Sequence, residues 1–266
     1  MVVETARAAL GPRRGAHCHA GPFRHRNVVQ TITNCENILH FDFVELACQN
    51  CRVGWSFFEA EAEAGERTVL VARHGRTSAN EDRIHQNWGP YQLSSAGMAE
   101  METAKRWWNR WTVTHYISSP VPRAIETANR LWGRLDELDA AWGERAVPAV
   151  EGLTLEKAHR LHPTLLEPDG GVIADSQISP FIESSRALDS RVQAALVRAA
   201  CTVPEEHVVA VMTHGAVIAA ILSISASVRP LRSTDVRCGN LEVLEIAVDP
   251  TKGWSVRQRH SPLTFG

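Results

Sequence analysis

Thr68-Val69-Leu70-Val71-Ala72-Arg73-His74-Gly75 is the stretch that decides how this chain is read. A short uncharged run rich in β-branched residues, bounded by a turn signal, reads as a buried strand. Gly75 lets the backbone turn without a Cβ penalty, so the strand delivers a cation, Arg73, and an imidazole, His74, to the mouth of a sheet. The pattern returns near the other end of the chain. There His207 to Met212 runs into Thr213-His214-Gly215, and the helix-like apolar run Ala216 to Ile224 follows. Two strand-end histidines, each followed by Gly, predict one site assembled from both ends of a single domain.

Working outward, strand-like and helix-like runs alternate from Thr68 onward. The pattern predicts helices over Ala96–Arg110, Arg123–Trp142, Leu155–Leu161, Ser184–Ala200 and Ala216–Ile224. It predicts strands over Thr114–Ser118, Ala146–Val150 and Val208–Met212, with Leu241–Val248 and Trp254–Arg259 closing as a hairpin. Pro120 and Pro122 precede the second helix and Gly143 follows it, the usual asymmetry of helix punctuation. Such alternation predicts an α/β three-layer sandwich, a mostly parallel central sheet with helices on both faces. Residues 1–66 lack sustained periodicity and are expected to form an N-terminal extension, with the α/β domain over 67–266.

Composition bounds the function classes. The chain has 266 residues, room for one domain of roughly 200 residues plus an appendage. Hydrophobic residues make up 44% and charged residues 22%, enough for a sizeable core and against global disorder. A formal net charge of -2 gives no electrostatic reason to invoke nucleic acid or an anionic membrane. There is no stretch of about 18 apolar residues to cross a bilayer, and no apolar segment ahead of a cleavage site to act as a secretory signal. The expected location is cytoplasmic, with no nucleic-acid or membrane partner; a homodimer stays open.

Four of the six cysteines, Cys18, Cys35, Cys48 and Cys51, crowd into the first quarter. Disulfides are not expected in a reducing cytosol. Cys48-Gln49-Asn50-Cys51 has zinc-knuckle spacing, and His17, Cys18, His19 and Cys35 can complete a ligand set. The pattern lacks a second clean ligand pair, so free thiols are the preferred reading.

Four motifs, in order, resemble the histidine phosphatase superfamily, in its phosphoglycerate mutase-like branch. The first is Arg73-His74-Gly75 with Thr77, Asn80, Arg83 and Leu93-Ser94-Ser95-Ala96-Gly97. The second is Ser118-Ser119-Pro120-Val121-Pro122-Arg123-Ala124-Ile125-Glu126-Thr127-Ala128. Glu183-Ser184 with Arg191 is the third, and Thr213-His214-Gly215 the fourth. The resemblance covers about 67–260 and leaves the first 66 residues outside.

That likeness implies catalytic roles for His74 and His214, and phosphate binding by Arg73, Asn80, Arg83 and Arg123. Residue chemistry agrees. A phosphomonoester dianion needs several fixed cations around its non-bridging oxygens, and arginines supply bidentate donors without a metal or cofactor. A neutral imidazole at His74 is a competent nucleophile, giving a phosphohistidine that splits one displacement into two. Neighbouring arginines favour the neutral ring. His214, if protonated, stabilises charge building on the equatorial oxygens.

A carboxylic acid must protonate the leaving alkoxide and then activate water. Two residues compete. Glu151 follows the expected strand Ala146–Val150 and is the preferred acid. Glu144 follows the expected end of a helix at Trp142 and is the alternative. Between Gly152 and Glu183 the chain carries only Lys157 and Arg160 as fixed cations, a sparsely charged cover that favours water entry. The expected activity is hydrolysis of a small phosphorylated metabolite. A phosphoglycerate-type phosphomutase and a non-catalytic phosphate-binding protein are the alternatives.

Overall fold

The computed structural model describes residues 65–166, 182–226 and 236–264. The chain divides into two units, Met1–Val53 and Gly54–Gly266, and every described residue belongs to the second. Cys18, Cys35, Cys48 and Cys51, and the question of zinc, therefore lie outside the described residues.

Six strands form one sheet in the order β3-β2-β4-β1-β5-β6. They are β1 (Arg67–Arg73), β2 (Val113–Ser118), β3 (Glu137–Leu138), β4 (Val208–Thr213), β5 (Val243–Asp249) and β6 (Gly253–His260). The first four run parallel, while β5 is antiparallel to β1 and closes the expected hairpin with β6. Helices α1 (Ser78–Glu81), α2 (Ser95–Trp108), α3 (Pro122–Trp132), α4 (Leu155–Leu161), α5 (Ser185–Cys201) and α6 (Gly215–Ser225) lie between the strands.

Side-chain alternation along the central strands builds both faces of the sandwich. Val69, Val71, Val209 and Val211 point to one side and pack with Leu188, Val192 and Leu196 of α5 and Val217, Ile218 and Ile221 of α6. Leu70, Ala72, Ala210 and Met212 point to the other, against Met101, Ala104 and Trp107 of α2 and Ala124, Ala128 and Leu131 of α3. With both faces covered, β1 and β4 need to be apolar at every position, which is why they read as continuous runs rather than alternating ones.

Two expected elements differ. The helix starting at Arg123 ends at Trp132, because Gly133 adopts φ 64° and caps it in the left-handed conformation. The chain then forms the short edge strand β3 and a 3₁₀ turn over Ala140–Trp142. Ala146–Val150 is not a strand: Pro148–Val150 forms a 3₁₀ turn, and a proline there has no N–H to give a sheet ladder. Both corrections bear on the acid, since Glu144 now follows a strand and Glu151 does not.

Candidate active site

The register of the central pair explains why the two histidines meet. Arg73 of β1 lies opposite Thr213 of β4, and the His74 N–H donates to the Thr213 carbonyl at 2.9 Å. Both chains leave the sheet at their carboxyl ends, where open parallel sheets present ligand crevices. The rings of His74 and His214 stand with centroids 5.2 Å apart. Each is buried, at 2% and 0% exposure.

Hydrogen bonding fixes the tautomer of His74. Nδ1 lies 2.8 Å from the Gly75 carbonyl oxygen, which can only accept, so Nδ1 carries the proton. Arg123 Nε–H donates to Nε2 at 3.1 Å, so the free lone pair is on Nε2 and faces a guanidinium. Burial, then the charges of Arg123 and Arg73, hold the His74 pKa well below its ordinary value of 6.5. Burial, then Arg123, His74, Arg73 and Arg191, do the same for His214. Both rings are neutral near pH 7.

Arg123 sits in the first turn of α3 and has 0% exposure. Its Nη2 donates to the Asn87 carbonyl at 2.9 Å and stands 4.0 Å from Glu144 Oε2. Arg73 donates from Nη1 to the Cys238 carbonyl, and its guanidinium lies against Gly215, whose ideal Cβ position is 3.5 Å from Cζ. Among the described residues, three buried polar atoms of this cluster, Arg73 Nε, Arg123 Nη1 and His214 Nδ1, have no hydrogen-bond partner. Leaving the two guanidinium donors unmet in a buried site is costly.

The two carboxylates occupy different surroundings. Glu144 Oε1 accepts from the backbone N–H of Arg145 at 3.0 Å and of Ala216 at 3.2 Å. It thereby caps α6, whose own N-cap residue, His214, makes no side-chain cap. Its other oxygen is the one facing Arg123. Trp88 Nε1 donates to the Glu144 carbonyl at 3.0 Å, and its ring lies against Gly143. Glu151 is half-buried, with Oε1 only 2.5 Å from where a Cβ on Gly89 would lie, and near Tyr91. Its charge helps raise the Tyr91 pKa, after burial.

Asn80 and Arg83 lie where the loop after β1 places them, with different engagement. Asn80 closes a capping box with Thr77 at the start of α1, and its Oδ1 accepts from Asn240 Nδ2 at 3.3 Å. The same Asn240 nitrogen donates to the His74 carbonyl at 2.9 Å, which ties Asn80 to the strand end. Arg83 follows α1 with φ 53°, and its exposed side chain makes no hydrogen bond or ion pair among the described residues.

Three contributors had no clear signal in the sequence. Ser119 Oγ stands 2.8 Å from His214 Nε2; it sits inside the Ser118-Ser119-Pro120 motif, which was the available hint. Asn240 has no motif to announce it. Asn87 is buried, and with its amide nitrogen donating to the Arg145 carbonyl and its oxygen accepting from Val147 N–H, both at 3.1 Å, it binds the loop to the segment after Glu144.

The model of the histidine phosphatase superfamily (branch 1) matches residues 69–260. This chain belongs to the histidine phosphatase superfamily. Phosphoglycerate mutase-like protein 4 of Arabidopsis thaliana is 32% identical over 155 residues, 56% of this chain and 67% of its own length. Among solved structures, phosphoglycerate mutase from Bacillus anthracis aligns with TM-score 0.59 and 18% identity over 74% of this chain and 94% of that one. Phosphoserine phosphatase from Entamoeba histolytica aligns with TM-score 0.60 and 19% identity over 73% and 97%. At such identities the two structures establish the fold of this superfamily member. They include a mutase and a phosphatase, so fold alone does not choose between those reactions. No helix among the described residues is long and apolar enough to cross a membrane.

Proposed function

We propose that this histidine phosphatase hydrolyses a small phosphomonoester through a phosphohistidine on His74, with Glu144 as the proton donor and residues 67–266 as the catalytic domain. The observation that carries the reading is a pair of facing histidines, His74 and His214, under the charges of Arg73 and Arg123, with buried polar atoms of both arginines and of His214 unmet among the described residues. Non-bridging phosphate oxygens are the acceptors such a set fits, and charge-assisted hydrogen bonds of this kind are the strong ones.

In the first step the lone pair of His74 Nε2 forms a bond to phosphorus as the ester P–O bond breaks. The Gly75 carbonyl holds the Nδ1 proton, so positive charge developing on the ring is met by an acceptor already in place. Arg123 exchanges its bond to Nε2 for phosphate oxygens, and Arg73 and His214 share the remaining equatorial charge. The departing oxygen takes a proton from the Glu144 carboxyl. In the second step the Glu144 carboxylate takes a proton from water, whose oxygen bonds to phosphorus as the N–P bond breaks; inorganic phosphate leaves and the Glu144 carboxyl is restored.

Glu144 is chosen over Glu151 on position. Its free oxygen faces Arg123 at 4.0 Å while the other is pinned by the first turn of α6, next to His214. The strand expected to carry Glu151 is absent, its carboxylate lies beside Gly89, and its charge acts on Arg123 less than that of Glu144. Hydrolysis is favoured over phosphoryl return to a bound acceptor because the stretch between Gly152 and Glu183 brings only Lys157 and Arg160 as fixed cations, too few to close a basic cover over a second anionic group.

Phosphate release across a panel of phosphorylated sugars, nucleotides and amino acids, with and without bisphosphoglycerate, tests this. Phosphate release from at least one member, without dependence on bisphosphoglycerate, is expected. Isomerisation of phosphoglycerate without phosphate release would make the chain a mutase.

A further inference from the structure

Glu183 and Arg191 form a two-point ion pair near the site, and neither side chain hydrogen-bonds to His74, His214 or Arg123. Arg191 Nε and Nη2 donate to the two oxygens of Glu183 at 2.5 and 2.9 Å, and the remaining arm, Nη1, donates to the Ala141 carbonyl at 2.7 Å. The backbone of Glu183 takes up the chain on the far side: its N–H donates to the Ala146 carbonyl at 3.0 Å, and its carbonyl accepts from Arg145 Nε at 2.9 Å. Residues 141, 145 and 146 bracket Glu144.

We infer that the Glu183–Arg191 pair is a positioning device for the Glu144 carboxylate, an inference that rests on Glu144 being the acid. The segment carrying Glu144 needs one. It leaves the two-residue strand β3 through a 3₁₀ turn and has no ladder of its own, so its backbone polar groups must find partners elsewhere. Thr213 Oγ1 meets the Trp142 carbonyl at 2.6 Å and Trp88 meets that of Glu144; Asn87 meets that of Arg145, and Arg191 and Glu183 meet Ala141 and Ala146.

The platform is firm. Arg191 stands on α5, a 17-residue helix whose Leu188, Val192 and Leu196 are sunk in the core beneath β1 and β4. One planar guanidinium satisfies a carboxylate and a carbonyl at once, a geometry that a lysine ammonium cannot reproduce. A displacement of the turn would move Glu144 away from the leaving oxygen while the cationic cradle around His74 stayed in place. The device therefore acts on proton delivery rather than on phosphate binding.

The test compares an alkyl phosphomonoester, whose leaving group needs a proton, with p-nitrophenyl phosphate, whose leaving group does not. The ratio of kcat/KM for the two is independent of how much protein folds, so a destabilised variant still reports. Arg191→Lys and Glu183→Gln are each expected to lower that ratio by ~10- to 100-fold, the cost of a catalytic group misplaced by about an ångström. In the Glu144→Gln background, Arg191→Lys should lower it no further. Equal losses on both esters, or full additivity in the double variant, would overturn the inference. If Glu144→Gln itself leaves the ratio unchanged, the acid assignment falls and this device falls with it. If Glu144→Gln lowers the ratio and Arg191→Lys does not, the device alone falls.

Discussion

Replacing Arg123 by Lys probes the cradle at its most buried point. The guanidinium has 0% exposure and spends its donors on His74 Nε2 at 3.1 Å and the Asn87 carbonyl at 2.9 Å, with Glu144 Oε2 4.0 Å away. Lysine keeps the charge, so the electrostatic suppression of histidine protonation largely survives, but it removes the planar fork. In the transition state the fork would place two charge-assisted hydrogen bonds on the transferring group, each worth about 1.5–3 kcal/mol. Losing both amounts to about 3–6 kcal/mol, or a ~10²- to 10⁴-fold fall in kcat/KM at 1.36 kcal/mol per decade. The assay is steady-state hydrolysis of p-nitrophenyl phosphate, with inhibition by vanadate measured alongside. The loss should appear with both, since an activated ester still needs its phosphate oxygens held. A Lys variant within about threefold of the parent in kcat/KM would refute the assignment of Arg123 as the principal phosphate ligand.

Further outcomes rest on the same geometry. Glu144→Gln should lose ~10²- to 10⁴-fold on alkyl phosphates and far less on p-nitrophenyl phosphate, whereas Glu151→Gln should keep the parent ratio between the two esters; a reversed pattern moves the acid to Glu151. The folded pKa values of His74 and His214 lie well below 6.5, so the unfolded chain binds more protons below that pH. Stability is therefore flat in these groups above about pH 6.5 and falls by about 1.4 kcal/mol per pH unit per group below it, and urea unfolding of the parent and His214→Gln at pH 7 and 5.5 should show one group's share of that slope disappear. Gly97→Ala would set a Cβ 2.2 Å from the Arg76 carbonyl oxygen, where backbone must give way. Overpacking of this kind costs about 1–3 kcal/mol, read as a lowered unfolding midpoint.

The parts of the fold that sequence conveys best are those that core burial dictates. Val69 to Ala72 and Val209 to Met212 are apolar at each position because helices cover both faces of β1 and β4, and that leaves an unbroken signal. Their neighbouring register then brings Arg73, His74 and His214 together, so the heart of the site is legible from two short runs. The region from Gly133 to Glu151 is not. Its only strand, β3, is two exposed residues at a sheet edge, with no buried face to impose periodicity. Gly133, a left-handed cap, lies inside an otherwise helical pattern, and Pro148 sits among valines that favour a strand. Those two local features make the sequence favour Glu151 over Glu144, whereas the structure gives Glu151 no strand to carry it. Ser119, Asn87 and Asn240 act through one or two hydrogen bonds across long sequence separations, and such contacts leave no periodic trace.

Rapid base-quench of enzyme mixed with a ³²P-labelled phosphomonoester, followed by peptide mapping at alkaline pH, identifies the nucleophile. A base-stable, acid-labile phosphoryl group on His74 is expected to accumulate within the first turnover, to disappear on a chase with unlabelled substrate and to be absent in His74→Ala. Label found on another residue, or turnover that persists undiminished in His74→Ala, would contradict that expectation.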